Sequence, residues 1–336
     1  MKKVVTVGEL LMRLSPPSIK TIKQSDHLNF YYGGAEINVA VALSNLGSQS
    51  TVLTALPDNP LGEAAIAFLN KEGIDTSYID IQGARLGTYF VENGTAERPS
   101  NVTYDRMFSS FSTWSPTSEN WDSILDEVDI LHITGITLAL GENCRHNTKI
   151  ILEEAKKRNI NISFDFNYRS KLWSIDEARA AFEEVLPYIT ICFGNVSDLT
   201  DILKKAYSDT STTKEIDTII GFLKEYNIKW FASTNRKVET NELHHLQGSL
   251  IHQNGDSVSS PAYCVHVCDR VGGGDAFAAG ILHKINLQQH TMMQETINFA
   301  TATGVLAHTL KGDSFILKQE DVEAYLEKQY GTDMKR

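Results

Sequence analysis

Apolar positions along the chain fall into two alternating rhythms. The β-branched run Lys3–Gly8 suits a buried strand. Residues Ala35–Leu46 set Ile37, Ala40, Val41 and Leu43 on one helical face, with Gly47 as a natural stop. The alternation continues with a strand at Thr51–Leu56, a helix at Leu61–Lys71 closed by Gly73, a strand at Ile130–Thr134 and a helix at Asn143–Arg158. A strand at Ile160–Phe164, a helix at Asp176–Val185, a strand at Ile189–Phe193 and a helix beginning near Val196 follow. The last third predicts helices at Gly274–Lys284, Met292–Ala307 and Gln319–Lys328, behind short strands around Ser249 and Cys264. Strands separated by helices imply right-handed βαβ units, hence an α/β fold with a mainly parallel sheet covered on both faces.

Two stretches break this rhythm. Met12–Tyr32 and Leu86–Met107 carry alternating or aromatic residues with turn signals but no helical period. They read either as a small antiparallel sheet inserted into the body, such as a lid, or as surface hairpins. The organisation expected is one domain over 1–330 with lid insertions at about 12–32 and 86–107, and a short tail at 331–336.

Composition narrows the partners. With 31 Lys and Arg against 42 Asp and Glu, the net charge of −11 argues against a large nucleic-acid or anionic-membrane surface. An anionic small molecule needs only a local pair of arginines and stays open. Glu9 cuts short the apolar run that follows Lys2 and Lys3, so the N-terminus does not read as a signal peptide. The apolar stretch from Ile130 to Leu140 contains His132 and is too short for a bilayer. Four cysteines make no disulfide framework, and Cys264 with Cys268 is a weak zinc signal. Reduced thiols in a cytoplasmic protein are expected.

The chain has no Gly-Lys dipeptide and so no P-loop, and it lacks GxGxxG, GxSxG and HExxH motifs. Its strongest chemical candidate is Asp269-Arg270-Val271-Gly272-Gly273-Gly274-Asp275-Ala276-Phe277 ahead of an apolar helix. Consecutive glycines at a helix start aim backbone N–H groups into one concavity, and the helix dipole adds positive charge, which makes an anion site. A carboxylate beside that site is better placed to take a proton from an attacking hydroxyl than to bind phosphate. Alternatively the glycines make only a tight turn and Asp275 complements the dipole.

The run Val271–Gly280 resembles the C-terminal signature of the ribokinase-like (PfkB-type) sugar kinases. Tyr32-Gly33-Gly34-Ala35-Glu36-Ile37-Asn38-Val39-Ala40, running to Gly47, resembles their N-terminal signature. Within that family, Phe164–Trp173 and Arg98–Arg106 are similar to the 2-keto-3-deoxygluconate kinase branch. The resemblance implies a three-layer α/β/α fold with a β-sheet lid, and ATP-dependent phosphorylation of a sugar acid's primary hydroxyl with Mg²⁺. It implies Asp275 as general base and the Gly272, Gly273 and Gly274 backbone as the anion hole. Gly33, Gly34, Asn38, Tyr89, Tyr104, Arg106, Asp165, Asn167 and Arg169 would bind substrate, with Arg106 and Arg169 on its carboxylate. Asn195, Ser233, Gly272, Gly274, Asn298 and Ala302 would serve the nucleotide, and Asp198 would help organise magnesium through water. A homo-oligomer paired through the lid is also expected.

Departures are visible too. Asp198 stands where the family has Glu, and Gly273 where it usually has Ala, a loss of one methyl that leaves the backbone free. The family often holds a monovalent cation near this loop, so one stays open as a cofactor here, although Arg270, where the family has Thr, places a guanidinium that would discourage it. The segment Trp230–Arg236 lacks the usual Gly-containing turn, and His244 and His245 in Lys237–Gln247 read as a solvated loop. Other readings that stay open are a fructose- or ribose-type neutral-sugar kinase and a non-catalytic sugar-acid sensor on the same fold.

Overall fold

In the computed structural model, which describes residues 2–95, 97–116, 120–205, 214–240, 242–285 and 293–329, the two rhythms become two sheets. The chain opens with β1 (Lys3–Val7), β2 (Leu11–Ser15) and β3 (Asn29–Gly33), then enters α1 (Ala35–Asn45), β4 (Gln49–Leu56) and α2 (Pro60–Lys71). Next come β5 (Ile79–Ile81), β6 (Gly87–Glu92), β7 (Asn101–Asp105), the single turn α3 (Trp121–Ile124), β8 (Ile130–Thr134) and the short α4 (Gly135–Ala139). The middle of the chain supplies α5 (Glu142–Lys157), β9 (Asn161–Asp165), α6 (Ile175–Val185), β10 (Ile191–Phe193) and α7 (Lys214–Tyr226). Four strands, β11 (Trp230–Val238), β12 (Leu243–His252), β13 (Ser257–Ser259) and β14 (Tyr263–His266), lead into α8 (Gly273–Lys284), α9 (Met293–Ala307) and α10 (Gln319–Gln329).

The large sheet runs β13-β12-β11-β10-β9-β8-β1-β4-β5, with β14 also on β12. It is parallel from β11 to β5 and turns antiparallel at β12. Its central strands β1, β4, β8 and β10 are buried at nearly every position because helices cover both faces, and all five residues of β8 are buried. Phe164, Phe182 and Phe222 pack one face against α6 and α7, while Val39, Leu43, Ile281 and Ile297 pack the other against α1, α8 and α9. In such a sheet the carboxyl ends of the strands open onto one crevice.

The two irregular stretches form a second sheet, β3-β2-β6-β7, over that crevice. It is not wholly antiparallel as expected: β2 and β3 are antiparallel, as are β6 and β7, but β2 and β6 are parallel. Each hairpin leaves the body after a strand of the parallel array, β1 or β5, so their first strands run the same way where they meet.

The helix expected to begin near Val196 does begin there, but it is short and passes into a π-helical turn at Asp198–Ile202; the next helix, α7, went unpredicted, and one further expectation changes. Lys237–Gln247 belongs to the long hairpin β11–β12, in which His244 is fully buried and His245 pairs with Glu239 at 2.8 Å. The histidines are therefore strand residues, not a solvated loop. The expected tail, 331–336, lies outside the described residues. Among the described residues no helix is long and apolar enough to cross a membrane, and all four cysteines are free.

Candidate active site

Gly272 is the cap of α8 and sits in the left-handed region at φ +81°, where a side chain would also stand 2.1 Å from the Asp313 carbonyl oxygen. The first helical bond is donated by Ala276 to Gly272, at 2.8 Å. The N–H groups of the three preceding residues thus have no partner inside the helix. Gly272, Gly274 and Asp275 line a cavity of about 930 Å³ between the lid and the body. Gly273 lies on the far side of this turn, buried against the His308 ring.

Asp275, in the first turn of α8, accepts a 2.7 Å hydrogen bond from the Asn38 amide on α1. Burial raises its pKa to about 6; the Asn38 donor and Arg169 pull against that rise, and Glu36 adds to it. Asn38 is itself buried, and its Oδ1 has no donor among the described residues. At the carboxyl end of β9, Asp165 accepts from the Asn167 N–H at 3.0 Å, in a turn that places Asn167 at φ +39°. Burial, with the charge of Asp275, pushes Asp165 up to about 8, against the pull of Arg169. Burial thus raises both carboxylates of one cleft, Asp165 further than Asp275. Arg169 is exposed and makes no ion pair among the described residues, yet lies close enough to favour the charged forms of Asp165, Asp198 and Asp275.

The lid contributes one continuous row. Strand register sets Tyr31 beside Arg13, Arg13 beside Tyr89 and Tyr89 beside Tyr104, and all four line the cavity. Arg106 follows β7 but is not a free cation. Its guanidinium donates to Glu9 Oε2 through Nε at 2.8 Å and through Nη2, with both residues buried. Tyr89 donates its hydroxyl to the Asp313 carboxylate.

Of the residues singled out in the sequence, Gly34, Asn38, Tyr89, Tyr104, Arg106, Asp165, Asn167, Arg169, Gly272, Gly274 and Asp275 converge on this cavity. The others stand apart. Gly33 is buried against the Asp313 carboxylate and leaves no face for a polyol. Asn195 and Ser233 continue the same sheet edge beyond the cavity, after β10 and in β11, and Ser233 hydrogen-bonds Ser249 at 2.6 Å. Asn298 accepts from Gln294 at 2.9 Å. Ala302 is packed in the core and offers a ligand no surface. Asp198 turns inward to accept the Asn195 N–H at 2.7 Å, and burial raises its pKa. Among the described residues no three acidic, His or Cys side chains form a metal cage.

Reading the sequence missed Glu9, Arg13, His308 and Asp313. Each looks ordinary in a strand or loop; only the fold brings Glu9, Arg13 and Asp313 to the cleft and sets His308 behind the glycine turn. Glu36 lay inside a quoted motif without a role. It accepts from the Thr134 and Thr137 hydroxyls at 2.7 Å each, tying α1 to the end of β8.

The chain is 32% identical over 324 residues to a 2-dehydro-3-deoxygalactonokinase of Haloferax volcanii, covering 96% of each protein. The solved 2-dehydro-3-deoxygluconokinase of Thermotoga maritima superposes with a TM-score of 0.90 at 34% identity, over 96% of this chain and 97% of that one. A PfkB family carbohydrate kinase of Listeria grayi superposes with a TM-score of 0.90 at 37% identity, over 96% of this chain and 99% of that one. The model of the pfkB family carbohydrate kinases matches residues 1–320. The chain belongs to the pfkB family of carbohydrate kinases.

Proposed function

We propose that this kinase transfers the γ-phosphoryl group of ATP to the primary hydroxyl of 2-keto-3-deoxygluconate, giving 2-keto-3-deoxy-6-phosphogluconate. The observation that carries the reading is the meeting in one cleft of Asp275, held by Asn38 beside the α8 N-terminus, with the guanidinium of Arg169, which donates to the Tyr168 carbonyl at 3.2 Å and makes no ion pair among the described residues. The acceptor oxygen attacks the γ-phosphorus, its proton passes to Asp275, and ADP leaves. The helix N-terminus receives the charge of the transferring group. Arg169 meets the planar carboxylate of a keto acid through parallel hydrogen bonds. Two relatives named for 2-keto-3-deoxy sugar acids, one a gluconate and one a galactonate kinase, support the acceptor class.

Magnesium would neutralise phosphate charge, with Asp198 acting only through water because its carboxylate already caps Asn195. A monovalent cation by this loop fits poorly: the guanidinium of Arg13, not Arg270, already sits between Asp269 and Asp313. The open edges β3 and β7 of the lid, with Phe30 exposed on β3, support a homo-oligomer through the lid. Free thiols and ATP as substrate suit the cytoplasm.

One observation favours a neutral-sugar kinase instead: Glu9 already neutralises Arg106. A coupled assay with ATP, Mg²⁺ and a panel of 2-keto-3-deoxygluconate, its galactonate epimer, fructose and ribose separates the readings. The highest kcat/KM on a keto acid is expected. Turnover confined to neutral sugars overturns the proposal, and turnover of none points to the sensor.

A further inference from the structure

Arg13 is the third residue of β2, a central strand of the lid sheet, and is 1% exposed. A buried guanidinium is costly unless its donors are satisfied and its charge met. Here each of its three nitrogens has a partner, and two carboxylates meet its charge. Nη2 donates to Asp269 Oδ2 at 2.8 Å, Nη1 to Asp313 Oδ1 at 2.8 Å and Nε to Ser15 Oγ at 3.0 Å. The face of the guanidinium lies 5.4 Å from the Tyr31 ring centre. Burial opposes the charge, but the two carboxylates outweigh it and hold Arg13 protonated.

The two carboxylates belong to the two backbone segments that shape the anion hole. Asp269 opens the glycine loop and accepts the Val271 N–H at 3.2 Å through Oδ1, while its Oδ2 also takes the Gly312 N–H at 3.3 Å. Asp313 presses its carbonyl oxygen against Gly272 and accepts Tyr89 from the lid. One planar fork therefore ties a lid strand to both segments, and a point charge on a flexible stem could not reproduce that geometry.

We infer that Arg13 is a positioning residue for phosphoryl transfer: its guanidinium is a built-in cation that fixes the Asp269–Asp275 loop and couples it to the lid, in place of a dissociable monovalent cation. Arg13 does not touch the reacting atoms. It sets where the Gly272–Asp275 N–H groups and the Asp275 carboxylate stand when the lid is seated. The inference rests on the proposed kinase reaction.

The test compares wild type with Arg13→Lys, Arg13→Ala and Asp313→Asn. It reads kcat, KM for the sugar acid, hydrogen exchange across residues 269–275, and rescue of Arg13→Ala by free guanidinium at non-denaturing concentration. Displacing a catalytic group by about 1 Å costs on the order of 10²-fold. Arg13→Lys and Asp313→Asn should therefore lower kcat by about 10- to 100-fold, leave the sugar KM within about twofold, and speed exchange in 269–275. Free guanidinium should restore part of the Arg13→Ala rate, and wild-type kcat should be equal in potassium and tetramethylammonium buffers. If Arg13→Ala does not fold, Arg13→Lys and Asp313→Asn carry the test. Unchanged kcat and unchanged exchange in those two variants overturn the inference, as does a loss confined to KM or a wild-type requirement for potassium. Because exchange needs no turnover, it reports on the latch even if wild type phosphorylates no sugar acid, an outcome that would remove only the functional proposal.

Discussion

The imidazole of His308 occupies the place that a methyl on Gly273 would take: a Cβ there would stand 2.1 Å from Cε1. His308 is fixed by a 2.6 Å hydrogen bond between its Nδ1 and the Gly304 carbonyl, and its own carbonyl accepts the Cys268 N–H at 2.7 Å. The missing methyl is thus not a harmless loss, as the sequence alone suggested, but one half of a packed pair. Gly273→Ala should cost about 1–3 kcal/mol, the usual scale of overpacking. In a His308→Ala background the same change should cost less by at least about 1 kcal/mol, as expected for residues in contact. A double-mutant cycle by urea unfolding measures this, and additive costs would show that the two residues do not compete for one space.

The Asp275–Asn38 pair fixes the pH dependence. Only the ionised carboxylate accepts a proton, so kcat/KM should fall on the acid side with a midpoint near 6. The Asn38 amide stabilises the charged form, so Asn38→Ala should move that limb to higher pH. Asp275→Asn should bind both substrates and lose about 10²–10⁴ in kcat, the usual scale for a general base. Rate–pH profiles of the three proteins decide it: a limb that stays in place without Asn38 assigns the titration elsewhere.

Much of this was legible in the sequence, for a physical reason. Residues of the glycine loop, of α1 and of the turn after β9 announce themselves because backbone geometry at a helix start and a strand end restricts which residues fit. Arg13 gives no such signal. In Leu11–Ser15 it reads as a solvent-facing polar residue of an alternating strand, and its partners lie 256 and 300 residues away. Arg106 shows the converse: its motif suggested a ligand for the substrate, while the fold commits it to Glu9, whose place beside the lid no local pattern foretells. The β11–β12 hairpin was obscured because its polar outer half mimics a loop, although His244 is buried within it.

Asp165 should make stability fall as pH rises. Its folded pKa, about 8, lies above the ordinary carboxylate value, so the folded state holds a proton that the unfolded chain releases. Stability tied to that proton is complete below about pH 4 and is lost as pH climbs toward 8. Asp165→Asn keeps an acceptor for the Asn167 N–H and removes the titration. It should match wild type at acid pH and exceed it by about 1–3 kcal/mol at pH 8, less than the full linkage because cleft water screens the charge. Denaturant melts at both pH values test this, and a gain that does not depend on pH would mean that the charge of Asp165 is not the cause.

Acceptor binding should order the β6–β7 half of the lid. Arg13 and Tyr89 hold the inner strands to the body, whereas β7 is an edge strand. An open site would also let water compete with the sugar hydroxyl for the phosphoryl group. Hydrogen exchange across Leu86–Met107, with and without sugar acid, should slow at saturating ligand. Equal protection in both states would mean that the lid is already set.

The choice of an acid over a neutral sugar falls to Arg169. It follows the Asp165–Asn167 turn at the carboxyl end of β9, lines the cavity and makes no ion pair among the described residues, whereas Glu9 already occupies Arg106. A charge-assisted hydrogen bond contributes about 1.5–3 kcal/mol. At tenfold per 1.4 kcal/mol, Arg169→Ala should lower kcat/KM for 2-keto-3-deoxygluconate by about 10- to 150-fold. Fructose has no carboxylate to lose and should be affected far less. Removing Arg169 also takes away the charge that favours ionised Asp275, so the acid limb of the variant should move to higher pH on both substrates. Measuring both substrates above that limb separates the two effects. Equal losses there would show that Arg169 holds the turn rather than the carboxylate, and the neutral-sugar kinase would become the better reading.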